Sequence, residues 1–318
     1  MAPQAGDGPY ESGQLLAGRY RFVAPIGRGA TGEVWRALDT HLDREVAVKE
    51  VYIAGGMPDD DRAELLERSL REARIAGRLR HPAIISVHDV LPGAGRVCLV
   101  MEFVPSRSLQ EVLTEDGPLS PAQVAELGAA LLDALRYAHG AGVLHRDVKP
   151  SNVLLSDAGR VVLTDFGIAR SEGDSPLTRT GSILGSPGFV APEMARGQRE
   201  SSPAADLWSL GATLYVAVEG RLPFDSDSTF GLLTAAATAD PVPPRNAGPL
   251  TPLLAGLMTR DPADRLTGAE AAALLDRARA GTGEAPDRLP PPASRLYTAG
   301  GRPVEERPEH RRWWRGRR

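Results

Sequence analysis

Two short polar segments in the middle of the chain hold the residue types that phosphoryl transfer requires. The first, HRDVKPSN over residues 145–152, contains Asp147, Lys149 and Asn152. The second, DFG over residues 165–167, follows an apolar run that is typical of a strand. Phosphoryl transfer needs one carboxylate to accept or orient the attacking hydroxyl, and a second carboxylate with a carboxamide to hold a metal ion on the phosphates. A single Asp is more often a loop cap than a catalyst, but this ordered set indicates catalysis.

A glycine-rich segment near the N-terminus is a candidate for phosphate binding. Residues 27–32 read GRGATG, and the GEVWRAL pattern that begins at Gly32 has the alternation of a strand. A dinucleotide-binding loop requires a helix at that point, so this segment is predicted to join two strands. The missing Cβ atoms of Gly27, Gly29 and Gly32 let backbone N–H groups approach phosphate oxygens. An ordinary structural turn explains this motif, taken alone, equally well.

Lysine is rare in this chain, which has 35 arginines but only two lysines, Lys49 and Lys149. Lys49 ends an apolar stretch, and arginine occupies nearly every ordinary surface position of this chain. We therefore expect the Lys49 ammonium group to face a site; a solvated lysine on an edge strand is the alternative. A compact ammonium group fits between the oxygens of two phosphates where a planar guanidinium does not. By position, Glu72 is the best candidate for the carboxylate that orients Lys49, with Glu64 and Glu67 as alternatives.

The elements that must position these residues fall into two groups. Alternating apolar residues from Tyr20 to Val51 predict three antiparallel strands. A helix over residues 59–80 and a hairpin formed by residues 83–90 and 96–104 follow. Capping residues then mark the starts of four predicted helices, at Ser120, Ser202, Thr251 and Thr267. The sequence therefore predicts an α+β fold with a small, β-rich N-lobe and a larger, mainly helical C-lobe.

The composition divides the chain into a globular part and two tails. Glycine, proline and glutamine near the start predict disorder, and the chain becomes rich in proline and arginine near its end. The predicted divisions are a disordered N-terminus over 1–17, a domain over 18–280 (N-lobe about 18–101, hinge 102–108, C-lobe 109–280) and a disordered tail over 281–318.

Charge and cysteine content exclude several classes of protein. The 41 acidic residues outnumber the 37 basic ones, so nucleic acid is not an expected partner. Cys98 is the only cysteine, which excludes a disulfide framework. The N-terminus lacks the pattern of a signal peptide, and no run reaches the roughly 18 apolar residues that a membrane span requires. We therefore expect a cytoplasmic location.

The C-terminal tail has a charge opposite to that of the rest of the chain. Residues 285–318 hold nine arginines against four acidic residues, together with Trp313 and Trp314. Contact with an anionic membrane surface, which would place the protein at the membrane periphery, is one interpretation. A disordered, solvated tail is the other and is preferred.

Taken together, the motifs resemble those of the eukaryotic-type serine/threonine protein kinases of bacteria. The resemblance covers residues 20–278 and includes GRGATGEV, VAVK, HRDVKPSN, DFG, APE, DLWSLG and a late DPADR. It implies a protein-kinase-like bilobal fold in which one key helix of the N-lobe supports the site. It also implies transfer of the γ-phosphate of ATP to protein serine and threonine hydroxyls, with Mg²⁺ or Mn²⁺ as the metal ion.

The resemblance implies a role for each polar residue of the site. Asp147 would be the catalytic base, and Lys149 would contact the γ-phosphate. Lys49, paired with Glu72, would hold the α- and β-phosphates. The implied metal ligands are Asn152 and Asp165. The nucleotide site would be formed by Ile26, Gly27, Gly29, Gly32, Val34, Ala47, Lys49, Met101, Glu102, Val104, Leu154 and Asp165.

The resemblance also indicates how the protein is regulated. A phosphate between the DFG and APE motifs could pair with Arg146 and order that segment. Thr178 and Thr180 align with a doubly phosphorylated T-x-T of related kinases, so we expect autophosphorylation there, with a homodimer as the reacting species. Ordinary loop hydroxyls are the alternative. Glu193 and Arg265 are expected to form a buried ion pair.

Two other functions compete with protein phosphorylation. A pseudokinase would keep the fold without transfer, but no key position is missing from the motifs. A small-molecule phosphotransferase would have related motifs, but the APE segment and the long preceding loop favour protein substrates.

Overall fold

The structure is a computed structural model, and its described part covers most of the predicted domain. It describes residues 10–29, 32–52, 59–93, 96–166, 186–198, 200–226 and 228–281. The predicted phosphorylation sites Thr178 and Thr180 lie outside these residues, as does the basic tail from residue 282 onward.

Among the described residues, six antiparallel strands and one long helix form the N-lobe. The sheet order is β1-β2-β3-β4-β6-β5, so the predicted three strands and the hairpin are confirmed. The elements are β1 Leu15–Leu16, β2 Tyr20–Gly29, β3 Gly32–Asp39, β4 Arg44–Tyr52, α1 Asp59–Ala76, β5 Val87–Gly93 and β6 Arg96–Glu102.

Alternation along the strands gives this sheet two apolar faces. Trp35 and Val48 belong to a cluster on the outer face. Val34 and Ala47 belong to a separate cluster on the inner face. Because Val34 is paired with Lys49 in the β3–β4 register, Lys49 lies on the inner face.

The predicted disorder of residues 1–17 is wrong for residues 10–17, which pack on the sheet. The Tyr10 ring stacks on Phe22 with their centroids 4.1 Å apart. The Ser12 hydroxyl donates a hydrogen bond to the Val23 carbonyl over 2.9 Å, and β1 pairs with the start of β2. Tyr10 and Leu16 are partly buried against the apolar cluster of the outer face, and this contact holds the segment on the sheet.

The C-lobe is mainly helical and is built around α5, Pro203–Glu219, which is buried along most of its length. None of the helices in the described ranges has the length and apolar character of a membrane span. The other helices are α2 Leu109–Glu115, α3 Pro121–Gly140, α4 Pro192–Ala195, α6 Thr229–Thr238, α7 Thr251–Leu257 and α8 Gly268–Gly281.

A small antiparallel sheet joins the two lobes. It consists of β7 Ser106–Ser108, β8 Val153–Ser156 and β9 Val161–Leu163. The Ile85 amide of the N-lobe donates to the Leu163 carbonyl over 3.0 Å, and the Leu163 amide donates to the Ala83 carbonyl over 2.8 Å. This sheet therefore connects the N-lobe to the loops that carry the predicted catalytic residues.

Three of the four predicted helix caps are confirmed, at Ser120, Ser202 and Thr267. The prediction for Thr251 is wrong. A 3₁₀ turn over Gly248–Leu250 continues directly into α7, and the Thr251 hydroxyl donates to the Gly248 carbonyl over 2.9 Å. The turn already orders the backbone there, so the helix begins without a side-chain cap.

Glu193 and Arg265 form a buried, bidentate ion pair in the C-lobe. Arg265 Nη1 and Nη2 lie 2.8 and 2.9 Å from the two carboxylate oxygens of Glu193. Only 7% of the Glu193 side chain and none of the Arg265 side chain is exposed. Arg265 also donates to the backbone carbonyls of Ala204, Thr259 and Arg260.

Glu193→Gln should lower the free energy of unfolding by about 3–5 kcal/mol, because it leaves the buried guanidinium without a counter-charge. Urea unfolding of the full chain measures this. Arg279→Gln is the control, because Arg279 pairs with Glu126 on the surface and should contribute no more than about 1 kcal/mol. Equal losses from both variants would contradict the prediction.

Candidate active site

An apolar cluster beneath the inner face of the sheet contains the predicted adenine-binding side chains. Ala47 and Met101 are buried in it, together with Ile85 of the N-lobe and Val162 of β9. The partly buried members packed around them include Ile26, Val34, Val104 and Leu154. Residues far apart in the sequence thus form one apolar cluster to which both lobes contribute side chains.

The glycine-rich segment is the hairpin between β2 and β3, as predicted. Gly27 is paired with Val34, and Gly29 with Gly32. Gly32 has a φ of 144°, which L side chains rarely adopt. Glycine at this position therefore lets the backbone reverse at the edge of the apolar cluster.

Asp147, Lys149 and Asn152 lie together in the loop that follows α3. Lys149 Nζ is 2.7 Å from Asp147 Oδ2. Asn152 Nδ2 donates to the Asp147 backbone carbonyl over 2.8 Å and to Oδ2 over 3.2 Å. A 3₁₀ turn over Pro150–Asn152 brings the carboxamide back toward Asp147. The three predicted side chains therefore converge on one point.

Asp206 fixes the backbone of this loop, a role that its position in the DLWSLG motif did not predict. Its carboxylate accepts hydrogen bonds from the amides of His145 and Arg146, over 2.8 and 2.7 Å, and contacts His139 Nε2 at 2.8 Å. Arg146 has a φ of 67°, a costly conformation for a non-glycine residue. The sequence signal that could have identified Asp206 is an acidic residue in the first turn of a helix that is otherwise almost entirely apolar.

Lys49 pairs with Asp165, and the predicted pair with Glu72 is not formed. Lys49 Nζ lies 2.7 Å from Asp165 Oδ1. The Glu72 carboxylate is 3.4 Å from Arg68 Nε, one turn earlier on α1, and 3.8 Å from Arg146 Nη1. Two guanidinium groups beside Glu72 therefore compete with Lys49 for this carboxylate.

The family model of the protein kinase domain matches residues 20–276 of the chain. The chain belongs to the protein kinase family. The match covers both lobes and all the elements that position the site, so the predicted family and bilobal fold are confirmed.

Several bacterial serine/threonine-protein kinases are similar to this kinase chain. PknA of Mycobacterium tuberculosis is 39% identical over 292 residues, which cover 88% of this chain and 66% of PknA. PkaA of Streptomyces coelicolor is 38% identical over 265 residues, which cover 79% of this chain and 48% of PkaA. The pkn3 kinase of Myxococcus xanthus is 38% identical over 275 residues, which cover 81% of this chain and 49% of pkn3. The chain thus spans between about half and two thirds of the length of these relatives.

The imidazole of His145 is buried at the candidate site and contacts the segment that holds the DFG motif. It is fully buried, and this burial lowers its pKa. Its Nε2 is 2.9 Å from the Thr164 carbonyl, and its ring contacts Phe166 of the DFG motif. These contacts fit a structural role for His145, in which its side chain connects the HRDVKPSN segment to the DFG segment.

The donor set of the site fits a small divalent cation. Asn152 and Asp165 offer oxygen atoms, which Mg²⁺ and Mn²⁺ prefer. Within the described ranges, no group of three or more histidine, cysteine or acidic side chains could hold a metal ion by itself. Mg²⁺ commonly binds through one or two protein side chains plus substrate phosphates.

Proposed function

We propose that this protein is a serine/threonine protein kinase that transfers the γ-phosphate of ATP to protein hydroxyls with Mg²⁺. The observation that carries the proposal is the convergence of Asp147, Lys149 and Asn152 in one loop, with Lys49 and Asp165 paired nearby. The neighbouring apolar cluster supplies a wall for the purine. The names of the bacterial relatives support the same activity.

In the proposed reaction, Asp147 orients the substrate hydroxyl and takes its proton. The hydroxyl oxygen bonds to the γ-phosphorus while the bond to the β–γ bridging oxygen breaks, and ADP leaves. Lys49 would hold the α- and β-phosphates, and Lys149 would neutralise charge on the transferred group. Mg²⁺, held by Asn152 and Asp165, would supply charge neutralisation when bound. Alignment therefore contributes much of the catalysis.

Incubation of the full chain with γ-labelled ATP and Mg²⁺ tests the proposal. One reaction contains a generic protein substrate, and a parallel reaction contains small-molecule hydroxyl acceptors. Label on the protein supports the proposed function. Label on the small molecules alone would support a small-molecule phosphotransferase, and nucleotide binding without any transfer would support a pseudokinase; either outcome contradicts the proposal. Replacement of Mg²⁺ by Mn²⁺ compares the two metals.

Phosphorylation of the activation loop, the segment between the DFG and APE motifs, would provide a means to separate Glu72 from its arginine partners. Glu72 contacts Arg68 and Arg146, and a phosphate carries up to two negative charges that compete for the same guanidinium groups. The Glu72 carboxylate could then pair with Lys49. For this, the Lys49 ammonium group would have to leave its present partner, Asp165. The contacts between Glu72 and the two arginines support a switch of this kind.

Thr178→Ala/Thr180→Ala should reduce the rate of transfer about tenfold, because it removes the charge-assisted contacts of two phosphates. Mass spectrometry before and after phosphatase treatment measures the modification, and Ser171→Ala/Ser175→Ala is the matched control. Fully active wild-type enzyme without phosphate on Thr178 and Thr180 would contradict this prediction.

Two interactions of the whole protein also remain predictions. The contact of the tail with anionic membranes concerns residues outside those described, and the homodimer for autophosphorylation rests on the family resemblance. Neither is needed for the transfer reaction proposed above.

A further inference from the structure

The side chain of Glu102 is held on both sides at the point where the N-lobe ends. Glu102 is the last residue of β6. Its Oε1 accepts a hydrogen bond from the Ser86 amide over 3.0 Å, and its Oε2 accepts one from Arg160 Nη2 over 2.9 Å. Each carboxylate oxygen therefore has its own partner.

The two partners of Glu102 belong to different lobes. Ser86 directly precedes β5 of the N-lobe, and its carbonyl also accepts a hydrogen bond from the Glu102 amide over 2.9 Å. Arg160 precedes β9 in the sheet at the start of the C-lobe. One carboxylate thus connects the edge of the N-lobe sheet to the C-lobe.

The turn that carries Arg160 is itself well fixed. The Ser156 amide donates to the Arg160 carbonyl, and the Arg160 amide donates to the Ser156 hydroxyl, both over 2.9 Å. The Asp157 amide donates to the Pro105 carbonyl of the hinge over 3.2 Å. Arg160 therefore extends from an ordered turn that is already attached to the hinge.

Glu102 is also adjacent to the residues that would bind the purine. It follows the buried Met101, and Val104 two positions later packs on the same apolar cluster. We propose that the Glu102 carboxylate and Arg160 form an interlobe clamp that holds the hinge backbone in register for adenine. The clamp rests on the proposed function, and Arg160 acts in it as a positioning residue.

The clamp should have a measurable but moderate effect on nucleotide affinity. The side chain of Glu102 is 21% exposed and that of Arg160 is 43% exposed, so solvent weakens their attraction. With the clamp in place, the hinge is ordered before ATP binds. Without it, the hinge would lose conformational entropy on binding, and this loss lowers the affinity for ATP. Loss of Arg160 should therefore raise the Kd for ATP about two- to fivefold.

Arg160→Gln tests the clamp in the full chain, with Arg160→Lys as the conservative variant. We expect a two- to fivefold increase in the Kd and KM for ATP, with kcat and the KM for the protein substrate unchanged. Arg160→Lys should restore part of the affinity because it keeps the charge. Glu102→Gln combined with Arg160→Gln should show little further loss, since the two residues act through each other.

Arg279→Gln is the matched control, because Arg279 and Glu126 form an exposed pair within the C-lobe, with N and O 2.6 Å apart. It should leave the KM for ATP unchanged. An unchanged KM in Arg160→Gln, or an equal shift in Arg279→Gln, would overturn the clamp while leaving the proposed function intact. Failure of the wild type to bind ATP would overturn both.

Discussion

Asp147→Asn is expected to reduce phosphoryl transfer by about 10²- to 10⁴-fold, the usual contribution of a positioned acid–base group. The change keeps the size of the side chain and removes the carboxylate that is proposed to accept the hydroxyl proton. Lys149 and Asn152 both contact Asp147 Oδ2, so the surrounding geometry should persist. Initial rates with γ-labelled ATP measure the effect.

The structural integrity of Asp147→Asn needs its own measurement. Nucleotide binding should remain close to that of the wild type, because Asp147 is proposed to contact the substrate hydroxyl. Urea unfolding should show a small change, since Asp147 is partly exposed. A variant that binds ATP, unfolds like the wild type and still transfers phosphate at the wild-type rate would contradict the assignment.

Lys49→Met should reduce transfer by about 10²- to 10³-fold, the range for loss of one preorganised electrostatic contact. Lys49 is nearly buried on the inner face of the sheet and faces Asp165 at 2.7 Å. Methionine has a similar length and suits this buried position, but it has no charge for the phosphates. Steady-state kinetics with ATP as the varied substrate measure the loss.

Lys49→Arg separates charge from shape at the same position. The guanidinium keeps the positive charge, but its planar fork differs from a compact ammonium group. We therefore expect Lys49→Arg to remain strongly impaired. Wild-type kinetics in Lys49→Met would contradict the role of Lys49, and wild-type kinetics in Lys49→Arg would show that charge alone is sufficient.

The local sequence predicted the elements that depend on neighbouring residues. Alternation along β3 and β4 identified the sheet, because side chains of successive strand residues point to opposite faces. Ser120 and Thr267 identified helix starts, because a capping side chain and its partner lie within one turn. The spacing of Asp147 and Asn152 placed both in one loop, where the structure finds them in contact.

Contacts between distant segments could not be predicted in this way. The sequence offered three acidic residues of α1 as partners for Lys49, but Arg68 and Arg146 flank Glu72 and Asp165 lies nearer to Lys49. Which carboxylate pairs with Lys49 depends on the distances between side chains in the folded protein. The spacing of residues along the sequence does not give these distances.

Backbone conformation and interlobe contacts were missed for a related reason. Arg146 and Asp165 have φ values of 67° and 65°, and strain of this kind persists only where the surrounding structure imposes it. For Arg146, the hydrogen bonds to Asp206 supply that constraint. The Glu102–Arg160 contact joins segments 58 residues apart, and neither residue type suggests this partner.

The most direct test of the account is the identity of the residue that receives the γ-phosphate. The full chain is incubated with γ-labelled ATP, Mg²⁺ and a protein substrate, and the labelled protein is hydrolysed to its phosphoamino acids. We predict phosphoserine or phosphothreonine in the wild-type reaction and a loss of both in Asp147→Asn. Label found only as inorganic phosphate, or equal labelling by Asp147→Asn, would contradict it.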